Sequence, residues 1–158
     1  MKVLVVVVGR PGVLFADAVA EYEKRAARYW SFEAIEVKEE RARKGLDDEQ
    51  IRESESQRLL ERVPTGIEVI ALTRDGQQWS SSELARYFEQ LAVSGKQGAA
   101  FLIGGALGLS DRAIGRAQRK LSLSAMTLTH EMARALLTEQ IYRAGTITRG
   151  EPYHKARG

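Results

Sequence analysis

Short apolar segments rich in β-branched residues alternate along the chain with longer segments whose apolar residues recur every three or four positions. The short segments are typical of strands and the longer ones of amphipathic helices. The predicted strands are Lys2 to Val8, Phe32 to Val37, Ile67 to Thr73, Ala99 to Ile103 and Leu121 to Ser124. The predicted helices are Leu14 to Tyr29, Asp48 to Arg62, Ser81 to Ala92, Asp111 to Gln118 and Glu131 to Ala144. This alternation predicts one α/β domain over residues 1–158, with a mostly parallel sheet and helices on both faces.

Capping residues mark several predicted helix starts. Ser80 with Glu83 forms a capping-box pattern, and Ser110 and Thr129 each precede a predicted helix. In the last helix one stripe is apolar, which predicts that the helix packs by that face and displays the other. The stripe holds Met132, Leu136, Leu137, Ile141 and Ala144, whereas Arg134, Thr138 and Arg143 point elsewhere.

Composition narrows the possible functions. The chain has no cysteine and two histidines, which excludes disulfides and thiolate chemistry and leaves little for a metal site. Its early apolar run, Val3 to Val8, is too short for a signal peptide or a membrane span, so we expect a cytoplasmic protein. The net charge is +3, and the excess of basic residues lies in residues 112–158. Such a field attracts phosphate backbones, although a basic stretch is also compatible with a solvated face.

A glycine-rich turn, Gly104 to Gly108, follows a predicted strand and precedes the helix capped by Ser110. Its glycines would let the backbone approach a ligand closely, but they are equally compatible with a tight turn that binds nothing. A dinucleotide site would need glycine at position 103, where Ile103 stands, and a carboxylate about twenty residues on, where none occurs. A phosphate loop of nucleoside triphosphatases is excluded by the missing Gly-Lys-Ser/Thr ending.

The stretch Ser122 to His130 is uncharged, small and rich in hydroxyl groups. Its backbone could hold an adenine edge and ribose hydroxyls without using charge. The same stretch is also compatible with an ordinary connection from strand to helix.

Several segments, taken in order, resemble the bacterial ribosomal RNA large-subunit methyltransferase H proteins, which methylate N3 of a pseudouridine in 23S ribosomal RNA. The resemblance spans essentially the whole chain. It is carried by the opening strand with Gly9, by Ile70 to Gly76 followed by Trp79, by Phe101 to Gly108, by Ser122 to His130, by Tyr142-Arg143-Ala144 and by Pro152-Tyr153-His154.

The resemblance implies a SPOUT fold with a C-terminal trefoil knot, which physical reasoning alone would not choose because knots are very rare. It also implies S-adenosylmethionine as cofactor, with S-adenosylhomocysteine as product and no metal. Three loops would hold the cofactor. They map onto Leu72 to Gly76, Gly104 to Gly108 and Leu123 to Leu128, with contacts expected from Leu72, Thr73, Gly104, Gly105, Gly108, Leu123, Ser124, Ala125, Met126, Thr127 and Leu128.

The C-terminal segment is expected to serve the acceptor base. His154 would accept the imide proton, Arg143 would stabilise the oxyanion that forms, and Tyr153 would stack on the base or hydrogen-bond to it. Generic reasoning alone would treat a histidine so near the C-terminus as a tail residue. His130, at a helix start, is expected to be structural. The chain departs from the family at Ala106 and Leu107, where a Pro-Glu pair is usual, and at Thr129, where a proline is usual.

RNA contacts are expected from two basic regions. The first is the loop Glu39 to Asp47, which is equally compatible with a solvated connection, and the second is the C-terminal tail. The residues concerned are Arg41, Arg43, Lys44, Arg149, Lys155 and Arg157. The resemblance implies a homodimer acting on an assembled ribosome. Alternatives are a transfer RNA methyltransferase of the same fold and a non-catalytic ribosome-associated RNA-binding module, with a nicotinamide oxidoreductase far behind.

Overall fold

The structure, a computed structural model, describes the backbone of residues 1–155 and the side chains of residues 1–153. Its strands are β1 (Lys2–Val8), β2 (Ser31–Val37), β3 (Ile67–Gln78), β4 (Gly98–Ile103) and β5 (Arg119–Ser122). Its helices are α1 (Val13–Ala26), α2 (Asp48–Glu61), α3 (Ser81–Val93), α4 (Asp111–Arg116) and α5 (His130–Arg149), followed by a short 3-10 helix, Pro152–Lys155.

The five strands form one sheet in the order β2-β1-β4-β3-β5, and every pair is parallel. All strands therefore point the same way, and their carboxyl ends meet at one edge, called here the carboxyl edge. The predicted α/β fold with a mostly parallel sheet is confirmed. The trefoil knot remains a prediction.

Helices cover both faces of the sheet, which explains why Val3 to Val8 are buried without interruption. Side chains alternate between the faces of a strand. Val3, Val5 and Val7 pack in the cluster that contains Phe88 of α3 and Leu137 of α5. Leu4, Val6 and Val8 pack in the opposite cluster, with residues of α2 and α4 such as Leu59 and Ala113.

Strand β3 is longer than the sequence predicts. Its ladder with β5 skips four residues, because Leu72 and Gln77 both lie opposite Leu121. Thr73 to Gly76 therefore form an excursion from the sheet, after which pairing resumes. A Cβ on Gly76 would lie 2.8 Å from the backbone carbons of Lys120 and Leu121, so only glycine allows this approach.

Helix α5 also extends beyond its predicted end at Ala144. A glycine such as Gly145 normally weakens a helix. In the structure Gly145 lies against Tyr29, whose ring occupies the space of a side chain at position 145. The predicted cap is confirmed, since the Thr129 hydroxyl accepts a hydrogen bond from the Met132 amide at 3.2 Å.

The predicted faces of α5 are partly wrong. Leu137, Ile141 and Ala144 are buried as expected, but Met132 and Leu136 are exposed and Arg134 and Thr138 are buried. The buried arginine is tolerated because two carboxylates pair with it, and the threonine because its hydroxyl donates to a helix carbonyl. The pairs are Arg134 with Glu23 at 2.9 Å, Arg134 with Glu36 at 2.6 Å, and Thr138 Oγ1 with Arg134 O at 2.6 Å.

Candidate cofactor cleft and catalytic tail

The three predicted cofactor segments all lie at the carboxyl edge. The first lies within β3, where the strand leaves the ladder, and the other two follow β4 and β5. These three strands are neighbours in the sheet, so the segments are adjacent in space. The crevice beyond the carboxyl ends of parallel strands is the usual place for a ligand in such a sheet.

The glycine turn after β4 is tightly folded. Gly105 and Gly108 face each other in a bridge, with the Gly108 amide donating to the Gly105 carbonyl at 3.0 Å. Gly108 has a φ of 81°, and a Cβ on Gly104 would lie 2.6 Å from the Gly108 carbonyl carbon. The geometry of the turn is therefore enough to explain why Gly104 and Gly108 are glycines. Support for a ligand at this turn has to come from the neighbouring segments.

The excursion within β3 and the segment after β5 bring polar groups to the same place. Arg74 Nη1 donates to Thr127 Oγ1 at 3.1 Å and so joins the two segments. Ser124 Oγ accepts from the Met126 amide at 2.9 Å and shapes the third segment. Thr73 Oγ1 is buried and has no hydrogen-bond partner within the described residues. A buried hydroxyl without a partner is costly, so this atom is suited to a polar ligand.

A cleft with a volume of about 440 Å³ opens beside the third segment, between β5, α3 and α5. Leu121, Leu123 and Trp79 give it an apolar lining, and Ser122 adds a hydroxyl. This size and this mixture are typical of a small-molecule site. A larger cavity of about 630 Å³ lies at the outer strand β2, away from the three segments, and is lined by charged residues that include the Arg134 cluster.

The residues of these segments fit S-adenosylmethionine. The adenosine moiety needs apolar surface and hydrogen-bonding groups rather than charge. The cleft, lined by Leu123 of the third segment, offers apolar surface, and the buried Thr73 hydroxyl, which does not line the cleft, is a hydrogen-bonding group of the first segment. Nowhere in residues 1–153 do three His, Asp or Glu side chains gather in a manner suited to a metal ion.

Two of the predicted catalytic side chains, Arg143 and Tyr153, meet at Glu139 near the middle of α5. Tyr153 Oη donates to Glu139 Oε1 at 2.9 Å, and Arg143 donates to the same oxygen at 2.7 Å. The Arg143 guanidinium lies 4.8 Å from the centre of the Tyr153 ring. Burial and the Glu139 carboxylate raise the pKa of Tyr153 above its ordinary value. Tyr153 is therefore a neutral hydrogen-bonding group in this arrangement.

The structure does not bring this cluster to the cofactor segments of the same chain. Helix α5 begins at the carboxyl edge, where the His130 imidazole lies against Gly9. It then runs back to the amino ends of the strands, where Trp30 Nε1 donates to the Ile141 carbonyl at 3.0 Å. At about 1.5 Å per residue, Arg143 lies about 20 Å along the helix from its first residue.

The predicted RNA-binding residues separate into two groups. Arg41, Arg43 and Lys44 are exposed on the loop after β2, at the carboxyl edge, as expected of a solvated basic loop. Arg149 lies at the far end of α5, where its guanidinium stacks 4.6 Å from the centre of the Tyr29 ring. Arg157 and the side chains of His154 and Lys155 lie outside the described residues.

Sequence reasoning missed Glu139, the acceptor that joins Arg143 to Tyr153. The signal was present, because a glutamate four residues before an arginine on a helix is a favourable pair.

None of the helices in the described part of the chain is both long and apolar enough to cross a membrane.

Comparison with known proteins agrees with this arrangement. A family model described as Predicted SPOUT methyltransferase matches residues 1–154. A ribosomal RNA large subunit methyltransferase H of Gemmatimonas aurantiaca is 47% identical over 156 residues, covering 98% of this chain and all of the relative. One of Clostridioides difficile is 43% identical over 159 residues, with 98% and 100% covered.

A solved structure, that of a probable methylase family protein from Haemophilus influenzae, has the same fold. It matches with a TM-score of 0.52 at 13% identity, over 99% of this chain and 71% of that one. The glycine turn and its neighbouring segments thus belong to a methyltransferase fold, and the family match covers them all. The chain belongs to the SPOUT methyltransferase family.

Proposed function

We propose that this methyltransferase transfers a methyl group from S-adenosylmethionine to N3 of a pseudouridine in 23S ribosomal RNA of the assembled ribosome, in the cytoplasm. The observation that carries the proposal is the meeting of three loop segments at the carboxyl edge, with a buried Thr73 hydroxyl that has no hydrogen-bond partner within the described residues. The names of the full-length relatives support the RNA class. We propose that residues 1–158 form one domain with the family's trefoil knot.

The cofactor site that we propose consists of backbone and small side chains. Leu72 and Thr73 hold one side, Gly104, Gly105 and Gly108 the second, and Leu123 to Leu128 the third. When bound, S-adenosylmethionine supplies a sulfonium-activated methyl group. The protein's main task is then to align this methyl with the acceptor nitrogen and to exclude water. Fixed backbone segments serve this task well because they lose little freedom on binding.

The acceptor base needs to lose its imide proton and to be held in place. We propose that His154 accepts this proton and that Arg143 stabilises the oxyanion that forms. Tyr153 stacks on the base or hydrogen-bonds to it. Glu139 is a positioning residue in this scheme, because its carboxylate fixes both Arg143 and Tyr153.

The site is proposed to be completed in a homodimer. Since the tail cluster and the cofactor segments lie toward opposite ends of α5, a partner's tail can face the cofactor where the chain's own tail does not. Exposed apolar residues at the carboxyl edge offer a surface for such a partner. They are Val13, Leu14, Met126, Met132 and Leu136. The Gly12 amide donates to Glu131 at 2.6 Å, which places the start of α1 beside the start of α5 in one patch.

The basic residues Arg41, Arg43, Lys44, Arg149, Lys155 and Arg157 are proposed to contact RNA phosphates, which sets the position of the RNA without reading its sequence. The chain has no described RNA-binding module besides the sheet and its helices. Recognition is therefore proposed to depend on the shape of the assembled particle.

The test is methylation of ribosomes that lack the modification. The purified protein is incubated with labelled S-adenosylmethionine and, in separate reactions, assembled ribosomes, isolated large subunits, protein-free 23S ribosomal RNA and bulk transfer RNA. We expect label in assembled ribosomes, and nucleoside mass spectrometry should find it on N3 of a pseudouridine.

The other outcomes distinguish the alternatives. Label in transfer RNA would assign the enzyme to another RNA target. Failure to bind S-adenosylmethionine in calorimetry, together with binding to ribosomes, would favour a non-catalytic ribosome-associated module.

A further inference from the structure

A buried carboxylate, Glu55 of α2, lies directly behind the glycine turn and has no part in the mechanism proposed above. Glu55 is only 3% exposed to solvent. Glu55 Oε2 accepts a hydrogen bond from the Glu40 amide at 3.1 Å. Glu55 Oε1 is buried, and no donor in the described part of the chain reaches it.

Gly105 stands between this free oxygen and the carboxyl edge. A Cβ on Gly105 would lie 2.9 Å from Glu55 Oε1 and 3.2 Å from Val8 Cγ1. Because glycine has no side chain, only the backbone of the turn covers the carboxylate at this point. The charge of Glu55 can therefore act on whatever the other side of the turn holds.

Helix α2 fixes the distance between the carboxylate and the turn. Arg52 Nε donates to the Leu107 carbonyl at 2.8 Å, and the Ser110 amide donates to Ser56 Oγ at 2.8 Å. These contacts lie on either side of Glu55 along the helix, so the turn and the carboxylate form one rigid unit.

The charges around Glu55 leave it net negative. Glu39 and Glu40 face it from the loop after β2, and Arg58 faces it from its own helix. Both nearby arginines of α2 are already engaged. Arg58 pairs with Glu40 and donates to the Lys38 carbonyl at 2.9 Å, and Arg52, which donates to the Leu107 carbonyl, pairs with Glu49. The turn Gly104 to Gly108 and Val8 contribute no titratable group.

We propose that Glu55 is a specificity-determining residue of the cofactor site, whose negative charge behind the glycine turn favours a cationic sulfonium ligand over the uncharged thioether product. The inference rests on the proposed function. S-adenosylmethionine and S-adenosylhomocysteine differ by the methyl group and its positive charge, so an uncharged site would discriminate between them weakly. With an effective dielectric constant of about 20, a unit charge acting across about 10 Å of protein changes an affinity roughly tenfold.

The pH dependence has a definite sign. Burial raises the pKa of Glu55, and the carboxylates of Glu39 and Glu40 add to this effect. A bound cation favours the ionised carboxylate, so the preference for the sulfonium ligand is present above the raised pKa and is lost as pH falls through it. The amino and carboxyl groups of both ligands stay ionised from about pH 5 to about pH 7, so in that range their charges are equal and do not change the ratio of the affinities.

The experiment is calorimetric titration of S-adenosylmethionine and S-adenosylhomocysteine, from about pH 5 to pH 8, into the wild type and two variants. Glu55→Gln removes the charge and keeps the size and the acceptor for the Glu40 amide. Glu53→Gln is the matched control, because Glu53 lies on the same helix but faces Arg112 at 3.6 Å.

In the wild type we expect the preference for S-adenosylmethionine over S-adenosylhomocysteine to rise with pH. In Glu55→Gln this preference should be about tenfold lower and independent of pH. Glu53→Gln should match the wild type. A preference unchanged in Glu55→Gln, or both ligands weakened equally, would overturn the role of Glu55 alone. If neither ligand binds the wild type, the proposed function fails as well. Should Glu55→Gln fail to fold, a wild-type preference that does not vary with pH overturns the proposal.

Discussion

Thr73 holds a hydroxyl that is buried and, within the described residues, unpaired. It follows Leu72 at the point where β3 leaves the sheet, at the start of the first proposed cofactor segment. Replacing an unpaired buried polar group by an apolar one of the same shape is close to neutral or stabilising. A residue whose polarity does not help folding is a good indicator of ligand binding.

Thr73→Val should therefore separate stability from binding. We expect the free energy of unfolding in urea to stay unchanged or rise by about 1 kcal/mol, because the isosteric side chain removes the unpaired hydroxyl. The affinity for S-adenosylmethionine should fall about fivefold, since one hydrogen bond to the ligand is lost. Thr148→Val, at an exposed site on α5, is the control. Unchanged affinity in Thr73→Val would remove its side chain from the site.

Glu139→Gln tests the cluster of Glu139, Arg143 and Tyr153 on α5. The amide keeps the size of the side chain but loses the charge that holds Arg143 and accepts from Tyr153. We expect kcat to fall at least about tenfold, with the affinity for S-adenosylmethionine changed less than about twofold, because the cluster is remote from the chain's own cofactor segments. Glu89→Gln, exposed on α3, should behave as the wild type. A normal kcat in Glu139→Gln would contradict the positioning role.

Among the elements, β1 was predicted to the residue because its apolar, β-branched run ends abruptly at Gly9. The ends of β3 and α5 were not predictable in this way. β3 resumes after an excursion with no apolar pattern, and α5 continues through Gly145 because Tyr29, far away in the chain, fills the space beside it. Both depend on tertiary contacts that local patterns do not contain.

The same limit applies to the site. The glycine turn and the uncharged stretch before α5 were visible in the sequence, although only the family resemblance favoured a ligand over a plain turn. Glu55 was not predicted, because in the sequence it is one of five acidic residues in α2. Its burial depends on the loop after β2 and on Gly105, which come together only in the fold.

The junction between α1 and the segment after α5 should lose stability in alkali. Tyr29 Oη donates a hydrogen bond to Glu151. This hydrogen bond is the main cause, and burial the next, of a rise in the pKa of Tyr29 from 10.0 to about 12. Only the neutral phenol can donate, so the stabilisation is present below about pH 10 and is lost as pH rises toward about 12.

We expect Tyr29→Phe to be less stable than the wild type at neutral pH by about 1 kcal/mol, and the difference to vanish above about pH 12. Urea unfolding at a series of pH values measures it. A difference that persists undiminished in strong alkali would show that the phenol proton does not stabilise this junction.

At the scale of the whole molecule, the separation of the tail cluster from the cofactor segments predicts complementation. Tyr153→Ala should impair the tail, and Gly104→Val should block the glycine turn, where a Cβ would lie 2.6 Å from the Gly108 carbonyl carbon. Each variant alone is expected to be nearly inactive. Refolded together, they form mixed dimers in which one of the two composite sites has neither substitution.

The mixture should therefore recover a clear fraction of wild-type methylation of ribosomes, up to about one quarter if the dimers form at random. Mass-resolved light scattering checks that both variants and the mixture are dimeric. Activity no higher than the sum of the separate variants would mean that each tail serves its own chain's cofactor.

The excursion of Thr73 to Gly76 has a consequence for evolution and for engineering. Both of its ends lie opposite one residue, Leu121, and Gly76 lies against the backbone of Lys120 and Leu121, where a Cβ would approach to 2.8 Å. Deleting a single residue there would shorten the excursion and move Gly76 out of this close contact. Homologues are therefore expected to vary in length at other loops, such as the one between β2 and α2, and to keep this span constant.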